Sequence, residues 1–147
     1  MKTILAIYNS GGKGKSTTTL ELANLLLAIP GCRIIYSDKP AANLIIDFRL
    51  IIEIKGKIIA IESQGDPSTH LQNRLDDIVK KYNPYLIICT CRTRGETVAA
   101  VYNIAKANSY DLMWSTTYET RHSHQLVNRL KAEHLQDLII KMGLIKK

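Results

Sequence analysis

Residues 3–27 read TILAIYNSGGKGKSTTTLELANLLL. Thr3 to Tyr8 is an apolar run of strand length, and Asn9 to Thr17 is rich in glycine and lysine. From Ser16 onward Leu20, Ala23, Leu26 and Leu27 recur at helical spacing, while Leu22 and Leu25 add a second apolar flank, so this helix is buried on most sides. A glycine-rich turn between a strand and a helix is the setting of a phosphate-binding loop. The helix start offers unpaired N–H groups and a partial positive charge, and glycines let the turn curl until its amides converge on phosphate oxygens. Lys15 is placed to reach terminal phosphates, and the Ser16 hydroxyl to ligand Mg²⁺. Gly11, Gly12, Lys13, Gly14, Lys15, Ser16 and Thr17 are therefore the candidate nucleotide-binding residues, with ATP and Mg²⁺ as the ligands.

Outward from this stretch, Pro30-Gly31 stops the first helix, and Arg33 to Ser37 reads as a second strand. Leu50–Ile54 and Lys57–Glu62 are β-branched runs around Lys55-Gly56, the signature of a hairpin. Leu71, Leu75, Ile78, Val79 and Tyr82 mark an amphipathic helix, with Asp66 or Ser68 available as its cap. Tyr85 to Cys91 is a buried strand. Gly95 to Ala107 is helical with Val98, Val101, Tyr102 and Ala105 inward. Asp111 to Thr117 is the last strand and Thr120 to Met142 the last helix, its stripe read as Leu126, Leu130, Leu138 and Met142. The alternation implies an α/β fold, a mainly parallel sheet covered on both faces. The hairpin adds one antiparallel strand, expected at an edge. The expected architecture is a three-layer P-loop NTPase fold in one domain, residues 1–147.

Composition bounds the reading. The chain has 147 residues, 46% hydrophobic and 22% charged, which excludes a disordered chain. Its net charge of +7 suits an anionic partner: nucleotide, nucleic acid or a membrane surface. Arg121, Arg129 and Lys131 on the last helix and the Lys146-Lys147 tail keep a protein or nucleic-acid partner open; such faces are more often simply solvated. Three cysteines allow neither a disulfide framework nor a paired C-x-x-C zinc site. No signal-peptide pattern follows Met1, and no apolar run approaches the roughly 18 residues of a membrane span. A cytoplasmic protein is expected.

Ser10-Gly11-Gly12-Lys13-Gly14-Lys15-Ser16-Thr17 resembles the loop of the ParA/MinD-type partition ATPases, K-G-G-x-G-K-T-T. That family carries a signature lysine where this chain has Ser10, and the lysine reaches across a nucleotide-sandwich dimer. A tight sandwich dimer is therefore not expected here, unless Lys13 substitutes. Asn9 stands where the general loop pattern has its first glycine; Asn tolerates the left-handed conformation. Asp38-Lys39-Pro40-Ala41-Ala42-Asn43 resembles the family's D-x-D-P-Q-G-N run. On that resemblance Asp38 orients the attacking water or touches Mg²⁺ through water; a plain turn aspartate is the alternative.

A metal carboxylate is expected just past an apolar strand. Glu62, with Gly65 three residues on, is the favoured residue, Asp66 the alternative, and Gln64 the side chain to orient water. Arg92 and Arg94 follow the strand 85–91 at the edge where open sheets bind ligands, so either is placed to contact phosphate or stabilise transition-state charge; a solvated basic turn is the alternative. The segment Ser115–Tyr118 lies where P-loop proteins hold the base, and no N-K-x-D motif is present, which favours ATP over GTP. The expected function is a small regulatory ATPase acting on a partner. A small-molecule or nucleotide kinase, or a nucleotide-sensing module without significant hydrolysis, are the alternatives.

Overall fold

A computed structural model describes residues 1–146; Lys147, read above as part of a basic tail, lies outside them. The elements run β1 (Thr3–Tyr8), α1 (Lys15–Leu27), β2 (Arg33–Ser37), a 3₁₀ turn (Ala41–Asn43), β3 (Arg49–Ile54), β4 (Lys57–Glu62), α2 (Leu71–Tyr82), β5 (Leu86–Cys91), α3 (Glu96–Asn108), β6 (Asp111–Ser115) and α4 (His124–Lys141). The strands form one sheet in the order β2-β3-β4-β5-β1-β6. β1 pairs in parallel with β5 and β6, and β4 with β5; the β2–β3 and β3–β4 pairs are antiparallel. Among the described residues, only β3 therefore runs against the other five strands.

Alternation along the strands builds three layers. Leu5, Ile7, Ile59, Ile61, Leu86 and Ile88 face α1 and α4, where Leu22, Leu26, Leu135 and Ile139 close the first core. Ile4, Ala6, Ala60, Ile87, Cys89 and Cys91 face α2 and α3, where Leu75, Ile78, Val101 and Ile104 close the second. Strands apolar on both faces need cover on both faces. The same argument corrects the expected place of the hairpin strand. β3 buries Leu50, Ile51 and Ile52 completely, so it lies inside the sheet between β4 and β2. The edge falls to β2, where Ile34 and Tyr36 remain exposed.

Three local expectations are corrected by burial. In α3 the buried residues are Thr97, Ala100, Val101, Ile104 and Ala105, while Tyr102 is exposed and sits beside Trp114. In α4 the buried stripe is Asn128, Ala132, Leu135 and Ile139; Leu126 and Met142 are exposed. Neither Asp66 nor Ser68 caps α2. His70, at φ 58°, precedes the helix and makes no side-chain cap bond. No helix among the described residues is long and apolar enough to cross a membrane. β1, β4, β5 and β6 share one direction, so the segments that follow them gather at one edge of the sheet, where open α/β sheets bind ligands.

Candidate functional site

The loop 9–14 joins β1 to α1 and turns on glycines. Gly14, at φ 83°, is the residue before the helix, and no side chain caps the first turn. A Cβ on Gly14 would also lie 2.6 Å from Asn128 Oδ1, so α4 presses directly on the loop. The first N–H groups of any helix lack intrahelical acceptors, and here they open on a cavity of about 240 Å³ lined by residues 12–17 and Asp66. A second cavity of about 570 Å³ shares Gly12, Lys13, Gly14 and Thr17 with it and extends to Tyr118, Arg121 and His124. That volume is in the usual range for small-molecule sites.

Lys15 is buried at the floor of the smaller cavity. Its Nζ donates to the Asn9 carbonyl at 2.9 Å and faces Asp66 Oδ1 at 3.7 Å. Burial lowers its pKa, Asp66 opposes that shift, and nearby Arg92 adds to it. Asp66 is brought to the loop by Gly65. A Cβ on Gly65 would fall 1.8 Å from the Thr90 carbonyl oxygen, so only glycine lets the segment after β4 cross the end of β5 this closely. Thr90 Oγ1 fixes the crossing by donating to the Ser63 carbonyl at 3.0 Å.

The strand beside the loop strand contributes no acid. β5 ends Cys89-Thr90-Cys91, followed by Arg92, whose Nε donates to Asp66 Oδ1 at 3.0 Å. Both thiols are buried; desolvation raises the Cys91 pKa to about 11 and that of Cys89 well above the ordinary value, so neither is an anion near neutrality.

The predicted residues divide sharply. Gly11 to Thr17 and Asp66 come together. Glu62 does not join them, which corrects the choice between the two carboxylates. It ends β4, two strands from β1, and is fully buried on the α2/α3 side. Arg49 Nε donates to its Oε1 at 3.0 Å and Arg74 Nη2 to its Oε2 at 3.3 Å, so its oxygens are already engaged. Gln64 turns to the β3 side, where its Nε2 donates to the Asp47 carbonyl at 3.2 Å. Asp38 closes a turn, accepting the Arg49 N–H at 2.8 Å. It follows β2, four strand positions from β1. At about 4.8 Å per position that is roughly 19 Å across the sheet, which places Asp38 out of reach of the loop.

Asn9 acts otherwise than expected. Its φ is not positive, so left-handed tolerance is not its role. Its Nδ2 donates to Thr117 Oγ1 at 2.9 Å and Glu119 Oε1 at 2.8 Å, while its Oδ1 accepts the Ser10 N–H at 2.7 Å. Thr117 Oγ1 in turn donates to the Lys13 carbonyl at 2.6 Å. The segment after β6 thus clamps both ends of the loop. Asn128, which accepts from Thr18 Oγ1 at 3.4 Å, and Glu119 were missed in the sequence. A polar residue in phase with Ala132, Leu135 and Ile139 would have marked Asn128, had the stripe been read in that phase.

The donor set near the loop is hard oxygen, from Ser16 and Asp66. Among the described residues no group of three or more His, Cys, Asp or Glu is arranged to hold a metal ion by itself. One carboxylate and a hydroxyl fit Mg²⁺, which is bound with substrate phosphates rather than in an all-protein cage. No protein family, curated protein or solved structure matches the chain.

Proposed function

We propose that the chain is an ATP·Mg²⁺-binding P-loop protein, a small regulatory ATPase whose loop resembles that of the ParA/MinD-type partition ATPases. The observation that supports this is Lys15, buried beneath an uncapped helix start and lining a cavity that shares Gly12, Lys13, Gly14 and Thr17 with a larger one beside α4. In this reading the amides of residues 11–16 and Lys15 hold phosphates, and the space beside Tyr118 and His124 takes the nucleoside. Ser16 and Asp66 would hold Mg²⁺, which supplies neutralisation of phosphate charge.

One observation favours a second reading, a nucleotide sensor with little hydrolysis. Asp38, Glu62 and Gln64, the side chains expected to serve water or metal, are all engaged elsewhere. Among the described residues, no carboxylate other than Asp66 lines the small cavity.

Thermal denaturation over a nucleotide panel, with and without Mg²⁺, tests binding. At a ligand concentration of about 100 Kd the gain is about 2.7 kcal/mol, roughly 5–10 °C for a domain of this size. ATP with Mg²⁺ is expected to give this shift, and Lys15→Ala to remove most of it. An unchanged shift in that variant overturns the assignment. Phosphate release then separates ATPase from sensor.

A further inference from the structure

Arg92 touches the loop as well as its carboxylate. A Cβ on Gly11 would lie 2.9 Å from Arg92 Nη2 and 3.1 Å from Nη1, so the guanidinium is laid against the loop backbone. Its Nε and the Lys15 Nζ both face a single atom, Asp66 Oδ1, at 3.0 Å and 3.7 Å. Two cations from different elements thus converge on one carboxylate oxygen at the cavity lined by the loop. That is the arrangement of an anion site filled by an internal anion.

The anchoring of the three groups differs. Arg92 is fixed by its backbone: it follows β5, and its N–H donates to Thr97 Oγ1 at 2.9 Å. Lys15 is fixed by burial in α1. Asp66 is held by main-chain neighbours, with Thr69 Oγ1 donating to its carbonyl at 2.7 Å, and its side chain is 60% exposed. Of the three side chains Asp66 is the most exposed, against 35% for Arg92 and 7% for Lys15, so the carboxylate is the group with room to swing away. Arg94, two residues on, is exposed and has no ion pair among the described residues.

We propose that Arg92 is a phosphate-contacting residue of this site, held by Asp66 in the nucleotide-free protein and passed, together with Lys15, to the terminal phosphate of a nucleoside triphosphate. The assignment rests on the nucleotide reading above. A phosphate carries more charge and more acceptor oxygens than one carboxylate, and guanidinium pairs with it in a two-pronged geometry that lysine lacks. Arg92 thereby makes the protein prefer triphosphate to diphosphate. It also provides, from the same chain, a cation of the kind that the resembling family brings across a dimer.

Titration calorimetry with ATP and ADP, each with Mg²⁺, tests this on the wild type, Arg92→Ala, Arg94→Ala and Lys15→Ala. Deleting one charge-assisted hydrogen bond to the terminal phosphate weakens ATP binding roughly tenfold to a hundredfold. Arg92→Ala is expected to lose that much for ATP and little for ADP, Arg94→Ala to match the wild type, and Lys15→Ala to lose both nucleotides. Equal weakening of ATP and ADP in Arg92→Ala, or none, overturns the assignment while leaving the nucleotide reading intact. No ATP binding by the wild type overturns both. Asp66→Asn, measured without Mg²⁺, gives an independent check. Removing the competing anion should tighten Mg²⁺-free ATP several-fold, and weaker binding there also overturns the proposal.

Discussion

Asn9 is buried between the loop it begins and the segment that clamps it, and its amide uses both ends. Replacing it with glycine restores the commoner loop pattern but removes the bonds to Thr117, Glu119 and the Ser10 N–H. Net hydrogen bonds contribute about 0.5–1.5 kcal/mol each, and glycine adds backbone entropy to the unfolded chain. Asn9→Gly is therefore expected to lower stability by about 1–3 kcal/mol in urea denaturation. A neutral or stabilising result would mean that the clamp contributes nothing. The loop itself was legible from local sequence, because glycine, lysine and serine act there through their own backbone and charge. The clamp was not. Its partners lie 108 and 110 residues away, and nothing at position 9 announces them. The same holds for Arg92, whose meeting with Asp66 depends on Gly65 crossing the end of β5.

Among the elements, β4 shows how a strand end can carry a carboxylate for structural reasons. Glu62 is fully buried, with Arg49 bonded to it and also donating to Asp77 Oδ2 at 2.7 Å, so the cluster ties β3 and β4 to α2. Removing one partner of a buried ion pair leaves the other charge uncompensated, at about 3–5 kcal/mol. Glu62→Ala is expected to destabilise by that order while leaving the nucleotide-induced thermal shift in place. Loss of the shift in a variant that still folds would return Glu62 to the site. The bond from Arg49 holds the Asp77 carboxyl below its usual range. Its contribution is then complete above the unfolded carboxylate pKa of about 4, and disappears as pH falls through the lower folded value. Asp77→Asn should flatten the acid limb of the stability curve. Periodicity located the apolar face of α2, though not its cap: Leu71, Leu75 and Ile78 are buried, and Val79 and Tyr82 pack partly buried against the same core. In α4 leucines occur on several sides, so hydropathy alone could not fix the phase; packing chose the side with Ala132, Leu135 and Ile139, which share one core with Leu22, Ala23 and Leu26 of α1.

At the scale of the whole molecule, the strand order puts the loop strand between β5 and β6, and both neighbours send their following segments onto the loop. Cation and clamp thus come from within one chain. Ser10 is exposed and uncharged, so it cannot reach a neighbour's phosphates as the family lysine does. Lys13 is the remaining candidate for that role. Its side chain is exposed and has no ion pair among the described residues, while its carbonyl is held by Thr117. If Arg92 neutralises the terminal phosphate in cis, a second copy adds no cation the site lacks, and ATP has no differential interaction with which to favour a dimer. Sedimentation velocity with a non-hydrolysable ATP analogue is therefore expected to show no change of mass from the nucleotide-free protein, in Lys13→Ala as in the wild type. A shift from monomer to dimer in the wild type, abolished by Lys13→Ala, would show that Lys13 performs the exchange between chains. An intermediate case is also decisive: dimerisation lost in Arg92→Ala but kept in Lys13→Ala would mean that Arg92 acts across the interface rather than within its own chain.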